Sequence, residues 1–297
     1  MSEIKVFHKS VLVDEVLEYS NLEGKKDALV FDMNLGEGGH TERILEKFPF
    51  VKVIGVDADS DIVERANERL KPFNDRFKSV VSWSDEFLSS TTEEPDLILF
   101  DLGLSMYHYK NEERGFSFGD DTLDMRFSKD GGLSAKDVVN TYKENDLADV
   151  LYKYGDEKKS RAIARAIVNA RKTHKIESAS ELHTIITSCF PYKVQRESKT
   201  DVATRSFQAL RIEVNNELGR FKMALESAYE RVKIGGRIEV ISFHSLEDGI
   251  AKWYFRSLLS EEKVKILTKK PITPSDTEIE INNASRSSKL RVVEKER

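Results

Sequence analysis

Along the first hundred residues, short apolar runs alternate with amphipathic stretches. Ala28 to Met33, Val51 to Val56, Phe77 to Trp83 and Asp96 to Phe100 are of strand length and bounded by polar or proline-containing segments. Between them, Thr41 to Lys47 and Ser60 to Leu70 carry apolar residues at helical spacing. Strands alternating with helices predict an α/β fold, a parallel sheet covered on both faces. From Ser134 to about Phe190 the periodic segments are all helical, which predicts an inserted helical subdomain. Alternation then resumes with one long amphipathic helix from about Thr204 to Arg231, a break at Gly235-Gly236, a strand from Arg237 to Phe243 and a helix from Glu247 to Leu259. The expected organisation is a first sheet segment (1–105), a helical insertion (106–203) and a second sheet segment (204–297). Pro271 to Ser288 reads as the most loop-like stretch.

A chain of 297 residues with 39% hydrophobic and 33% charged residues is an ordinary globular one. No apolar stretch approaches the roughly 20 residues needed to span a bilayer, and the N-terminal segment lacks the apolar core of a signal peptide. A cytoplasmic protein is expected. The single cysteine, Cys189, lies in an apolar helical run and reads as a buried core thiol, so neither a disulfide framework nor a cysteine metal site is available. His8, His174 and His183 have no partners at metal-ligand spacing, and no metal is expected. The net charge of -5 excludes a protein that coats nucleic acid by bulk positive charge. The cations cluster instead, with Lys158, Arg161, Arg165 and Lys172 on one helix face, and Lys269, Lys270, Arg286, Lys289 and Arg291 near the C-terminus. The first stripe is either a solvated face or an RNA contact.

The chemistry begins at the turn Gly36-Glu37-Gly38-Gly39-His40, between a strand ending at Asp32 and a helix opening at Thr41. Glycines there let a backbone approach a ligand at the carboxyl end of a strand. The next strand ends at Asp57, 21 positions past the first glycine, where a carboxylate suits the hydroxyls of a ribose. Charge decides between nucleoside ligands. A pyrophosphate would be repelled by Asp32 and Glu37, and the dinucleotide spacing Gly-x-Gly-x-x-Gly is absent. S-adenosylmethionine, with a sulfonium and an ammonium group, is favoured by Asp32, Glu37 and Asp101. The competing reading is a tight turn without a ligand, and the acidic ends of three strands weigh against it.

Four further segments extend the reading: Arg114-Gly115-Phe116-Ser117-Phe118 with Leu123-Asp124-Met125-Arg126; Ala203 to Ile212; Ile241-Ser242-Phe243-His244-Ser245-Leu246-Glu247-Asp248; and Ser285 to Arg291. Together with His8 to Leu12, they resemble the bacterial 16S ribosomal RNA cytosine-N4 methyltransferase family over nearly the whole chain. The resemblance implies a Rossmann-like S-adenosylmethionine-dependent methyltransferase sheet with an inserted helical subdomain. It also implies methylation of a cytosine amine in the decoding centre, the P site, of 16S ribosomal RNA in the small ribosomal subunit. Cofactor contacts carry over to Gly38, Gly39, His40, Asp57 and Asp101, with an aromatic that is Phe87 or Trp83. Where the family usually has a cofactor-contacting glutamine, this chain has His108, which can still give or accept one hydrogen bond. Arg126 and Arg211, in the matched segments, are expected to line the active crevice and meet substrate.

A cytosine amine is a poor nucleophile, so an enzyme must align it and accept its proton. Asp101 and His244 are the candidate catalytic residues, and for His244 a helix-capping role is the alternative. Methylation at carbon 5 would need an activated cysteine, which Cys189 is not. Two rival readings are a nicotinamide-dependent oxidoreductase and a ribosome-binding protein that keeps the fold without catalysis.

Overall fold

The computed structural model describes residues 9–105, 107–108, 114–128 and 131–297. His8 lies outside the described residues. The chain divides into two compact units, one formed by residues 1–105 and 218–297, the other by residues 106–217.

The first unit is built on a seven-stranded sheet. Its strands in chain order are β1 (Leu29–Asp32), β2 (Lys52–Asp57), β3 (Phe77–Val81), β4 (Leu97–Asp101), β5 (Arg237–Ser242), β6 (Val264–Ile266) and β7 (Lys289–Lys295). In space they run β3-β2-β1-β4-β5-β7-β6. The order reverses at β1, whose neighbours β2 and β4 both run parallel to it, with Asp32 level with Gly55 on one side and Leu99 on the other. That reversal leaves a crevice beyond the carboxyl ends of the strands, where open α/β sheets bind ligands. The sheet is not wholly parallel as the alternation predicts. β7 inserts antiparallel between β5 and β6, pairing Val240 with Arg291 and Ile266 with Val293. The reason lies in the stretch that reads as loop: it contains a short helix (Asp276–Ile281) and brings the chain back along β5 without a full crossover.

Side chains alternate across the sheet as period-two strands require. Phe31, Ile98, Phe100 and Val240 pack on one face against Phe221, Leu225 and Ala228 of the helix Glu217–Arg231 and against Ala251 and Phe255 of the helix Ser245–Ser260. Val30, Val53 and Leu97 face the other way, onto Ile44 and Leu45 of the helix Gly39–Lys47 and Ala66 of the helix Ser60–Arg69. All of these core side chains are buried. Because β4 is buried on both faces, it reads in sequence as a continuous apolar run that ends in a carboxylate.

The second unit is helical: Ala135–Thr141, Glu144–Gly155, Ser160–Ala170, Ala179–Ser188, Tyr192–Glu197 and Thr204–Asn215. Ile163 and Ile167 are buried, and Lys158, Arg161, Arg165 and Lys172 are exposed on the opposite face. Cys189, at the C-terminal cap of Ala179–Ser188, is only half-buried rather than a core thiol, and burial still pushes its pKa up. The long helix expected over Thr204–Arg231 is two. Asn216 adopts the left-handed conformation with φ of 47° and ends the first of them. The helix Thr204–Asn215 therefore belongs with the insertion rather than with the sheet, and the insertion extends to residue 217 instead of 203. It is held there by close packing, since a Cβ on Gly155 would lie 2.5 Å from the Arg205 carbonyl oxygen. It is also held by Asn215, whose amide donates to the Met125 carbonyl at 2.7 Å and accepts from the Phe127 N–H at 2.8 Å.

Asn215→Ala leaves the Phe127 N–H and the Met125 carbonyl without these partners in a buried setting. A loss of about 3 kcal/mol is expected in urea unfolding of the full chain. A loss below about 1 kcal/mol would mean that water or other groups replace the side chain.

Candidate active site at the carboxyl ends of β1 and β4

The glycine turn is shaped by local geometry before any ligand is considered. After β1, the Leu35 N–H bonds to the Val56 carbonyl at 3.0 Å and the Gly38 N–H to the Leu35 carbonyl at 2.9 Å. Gly38 has φ of 78°, a left-handed conformation, and a Cβ there would meet Leu70 Cδ1 at 2.9 Å. Only glycine satisfies both demands without cost. The helix that follows opens at Gly39, two residues earlier than the apolar spacing indicates, so His40 sits in its first turn.

Three sequence-derived residues meet here. Asp101 ends β4, His40 is almost completely buried, and its Nε2 lies 3.3 Å from Asp101 Oδ2. Burial draws the His40 pKa down, but the carboxylates of Asp101 and Asp32 outweigh it and hold the imidazole above its ordinary value. Asp32, at the end of β1, is itself 1% exposed and accepts a 2.7 Å hydrogen bond from the Thr41 hydroxyl. Burial raises its carboxyl pKa from 3.8 to about 6, against the pull of Thr41 and His40. A buried histidine thus stands among two carboxylates, which favour its protonated form.

Asp57 does something more specific than its position suggests. One carboxylate oxygen accepts from the Gly36 N–H and the other from the Asp59 N–H, both at 3.0 Å. It braces the turn from the neighbouring strand. Glu37 departs from expectation. Its side chain is buried, and the Arg65 guanidinium donates twice to Oε1, at 2.9 Å and 2.7 Å. The Glu37 charge is neutralised by the next helix instead of being offered to a cationic ligand.

A cleft of about 380 Å³ opens over this group, lined by Asn34, Gly36, His40 and Asp101 and closed by Gly103 and Ser105. Asn34, Gly103 and Ser105 were not flagged by the sequence; the available signal is that small or polar residues directly follow the carboxylates ending β1 and β4. The donor set fits a cationic ligand: Asn34 Oδ1 is buried without a hydrogen-bond partner, and the Asp101 carboxylate lies beside it on the cleft wall. An orphaned acceptor on the same wall as a carboxylate matches an ammonium or sulfonium centre, and Arg69, which also lines the cleft, is paired with Glu42 at 2.6 Å.

The remaining candidates are held elsewhere. Phe87 is partly buried and packs edge-on against Phe31 at the margin of the core, with ring centroids 5.2 Å apart. Trp83 carries the Arg220 guanidinium 4.2 Å above its ring. The Ser82 N–H bonds to the Asp57 carbonyl at 2.9 Å, so the segment bearing both aromatics is anchored beside Asp57. His244 caps the helix Ser245–Ser260: its Nδ1 accepts from the Glu247 N–H at 3.4 Å, and the Glu247 carboxylate returns to the His244 N–H at 3.2 Å. Its ring is thus turned onto its own helix, the capping alternative. In the second unit, His108 is buried with its ring centroid 5.1 Å from Phe116 and 5.3 Å from Phe127. Arg126 grips Asp124 in a two-pronged pair, at 2.9 Å and 2.6 Å, and Arg211 grips Glu217 at 2.8 Å and 3.0 Å. Both guanidinium forks are engaged by carboxylates of their own unit, which orients them and offsets their charge. Among the described residues, no cluster of histidine, cysteine and acid side chains can hold a metal ion.

The sequence profile described as the MraW methylase family matches residues 5–296. The chain belongs to this family. Relatives named ribosomal RNA small subunit methyltransferase H are 45% identical in Treponema denticola, over 97% of each chain, and 43% identical in Borreliella afzelii, over 98% of each. Among solved structures, an rRNA methylase from Streptococcus thermophilus aligns at 11% identity and a TM-score of 0.44, covering 96% of this chain and 94% of that one. Membership in a methylase family removes the oxidoreductase reading, which the buried carboxylates at the turn already oppose.

Asp32 gives the methylase a measurable pH signature. Its folded pKa is raised, so the folded state holds the proton more tightly than the unfolded one; the stability this contributes is present below 3.8 and lost as pH rises to about 6. His40, also raised, adds loss of the same sign above its unfolded value. Asp32→Asn should gain on the wild type by about 3 kcal/mol between pH 4 and pH 7 in urea unfolding at fixed salt. A pH-independent difference between the two proteins would sink this assignment.

Proposed function

We propose that this enzyme transfers a methyl group from S-adenosylmethionine to the exocyclic N4 amine of a cytosine in the decoding centre of 16S ribosomal RNA, in the cytoplasm. The methyltransferase activity and the ribosomal RNA of the small subunit follow from family membership and from relatives similar over their full length. The choice of an amine as acceptor rests on one observation, the Asp101 carboxylate on the wall of the cleft, backed by the buried His40.

S-adenosylmethionine supplies an electrophilic methyl group on a sulfonium centre. The turn around Gly38 and Gly39, braced by Asp57, would hold its nucleoside part, and Asn34 and Asp101 on the cleft wall would face its cationic part. The methyl acceptor needs a base, because the amine loses a proton as its new N–C bond forms. Asp101 is the acceptor this cleft provides, with Oδ2 turned to His40 and Oδ1 near the Gly103 N–H at 3.3 Å. His40 acts through Asp101: its Nε2, 3.3 Å from Oδ2, orients the carboxylate, and the proton leaving the amine passes to Asp101. The half-buried Cys189, in the other unit and with a raised pKa, offers no route to attack at carbon 5.

The full-length enzyme, incubated with labelled S-adenosylmethionine and small subunits from a strain lacking the gene, is expected to produce N4-methylcytosine in the digested RNA. Asp101→Asn should lower kcat/KM by about 10²-fold or more. Label appearing in 5-methylcytosine, or full activity in the Asp101 variant, would overturn the chemistry proposed.

A further inference from the structure

A second concave site lies on the sheet unit, away from the cofactor cleft and using none of its residues. It has a volume of about 260 Å³, and Lys252, Arg256, Lys269 and Arg291 line it, with Phe255 and Thr268 among the remaining walls. No acidic residue lines it. Arg291 is already balanced by Asp248, at 2.7 Å and 3.2 Å. Lys252, Arg256 and Lys269 have no acidic partner among the described residues, so the pocket carries an uncompensated positive charge in a protein of net charge -5. Thr268 is buried and its hydroxyl accepts from the Val292 N–H at 2.9 Å, which fixes the segment carrying Lys269.

Beside the pocket, on the same helix, stands Trp253. It is 63% exposed, an unusual place for an indole, and two of the pocket cations flank its ring, with Lys252 Nζ 5.1 Å and Arg256 Cζ 5.2 Å from the centroid. Cations that bind phosphates next to a ring on which a base can stack are the combination used for single-stranded nucleic acid. An acidic protein surface would use the cations but has no need of the exposed ring.

The register places this pocket usefully. β6 is antiparallel to β7, which is antiparallel to β5, so β6 points the same way as β4. Lys269 follows β6 and therefore lies toward the same carboxyl edge as Asp101. Arg291 is level with Val240 and, through it, with Phe100, one residue short of Asp101. Three strand spacings, roughly 14 Å, separate β4 from β6.

We propose that the pocket formed by Lys252, Arg256 and Lys269, with Trp253 beside it, binds the single-stranded RNA flanking the target nucleotide: phosphates in the pocket and a base on the indole. The inference rests on the ribosomal RNA reading above and adds a contact surface on the sheet unit, separate from the helical insertion. Its role is to hold the strand while the target base occupies the cleft, so it affects substrate affinity and leaves cofactor binding alone.

The test measures equilibrium binding of the full-length protein to 16S RNA, and to small subunits, across a range of potassium chloride concentrations. The triple variant Lys252→Gln, Arg256→Gln, Lys269→Gln is expected to weaken RNA binding tenfold or more and to reduce the salt slope by about 2. Its thermal unfolding and its calorimetric affinity for S-adenosylmethionine should match the wild type. Trp253→Ala is expected to weaken binding with the salt slope unchanged, and Trp253→Phe to restore most of it. Wild-type affinity and slope in the triple variant would overturn the proposal, as would weakened binding to subunits with unchanged binding to naked RNA, which would point to a ribosomal protein. Absence of methyl transfer by the wild type would instead remove the functional reading, while the binding data still judge this surface.

Discussion

The arrangement depends on keeping a histidine and two carboxylates together at the reversal point of a parallel sheet. Asp32 and Asp101 end adjacent strands, and His40 stands close enough to answer both. Buried carboxylates side by side repel each other and lose hydration, a cost the protein tolerates only because His40 and the Thr41 hydroxyl offset it. Every other choice near the turn follows from that need. Gly38 takes the left-handed conformation so that the helix can start early enough to bring His40 inward. Asp57 holds the turn by its backbone, and Arg65 removes the Glu37 charge from the neighbourhood.

Much of this was legible in the residues. β1 to β5 fall where apolar runs put them, because a strand buried in a sheet cannot disguise its composition. Asp57 and Asp101 stand out for the same reason, each a charge that terminates an apolar run. What a sequence hides is pairing. Glu37 looks like a ligand for a cation until Arg65, 28 positions on, is found against it. Arg126 and Arg211 look like free cations in matched segments until Asp124 and Glu217 are seen gripping them. His244 presents two readings that only the direction of its ring separates.

The misread boundaries have a common cause. Asn216 breaks a run whose apolar period continues on both sides, so periodicity alone joins two helices across it. β7 lies beyond a polar stretch and carries four charges among its seven residues, as befits a strand near a sheet edge. In both places a single backbone decision, a left-handed residue or a reversal of direction, overrides what side-chain pattern conveys.

The strand order also bears on how such a chain is made. β5 joins β4 directly, yet about 135 residues separate them, and the whole helical insertion emerges from the ribosome in that interval. Until β7 arrives, β5 presents an unpaired edge, and β6 has no neighbour at all. The insertion, with its local helix contacts, is able to form early, whereas the half-built sheet must wait with β4 uncovered on one side. Of the two units the sheet is therefore the one completed last, and its strand edges wait unpaired until β7 is made.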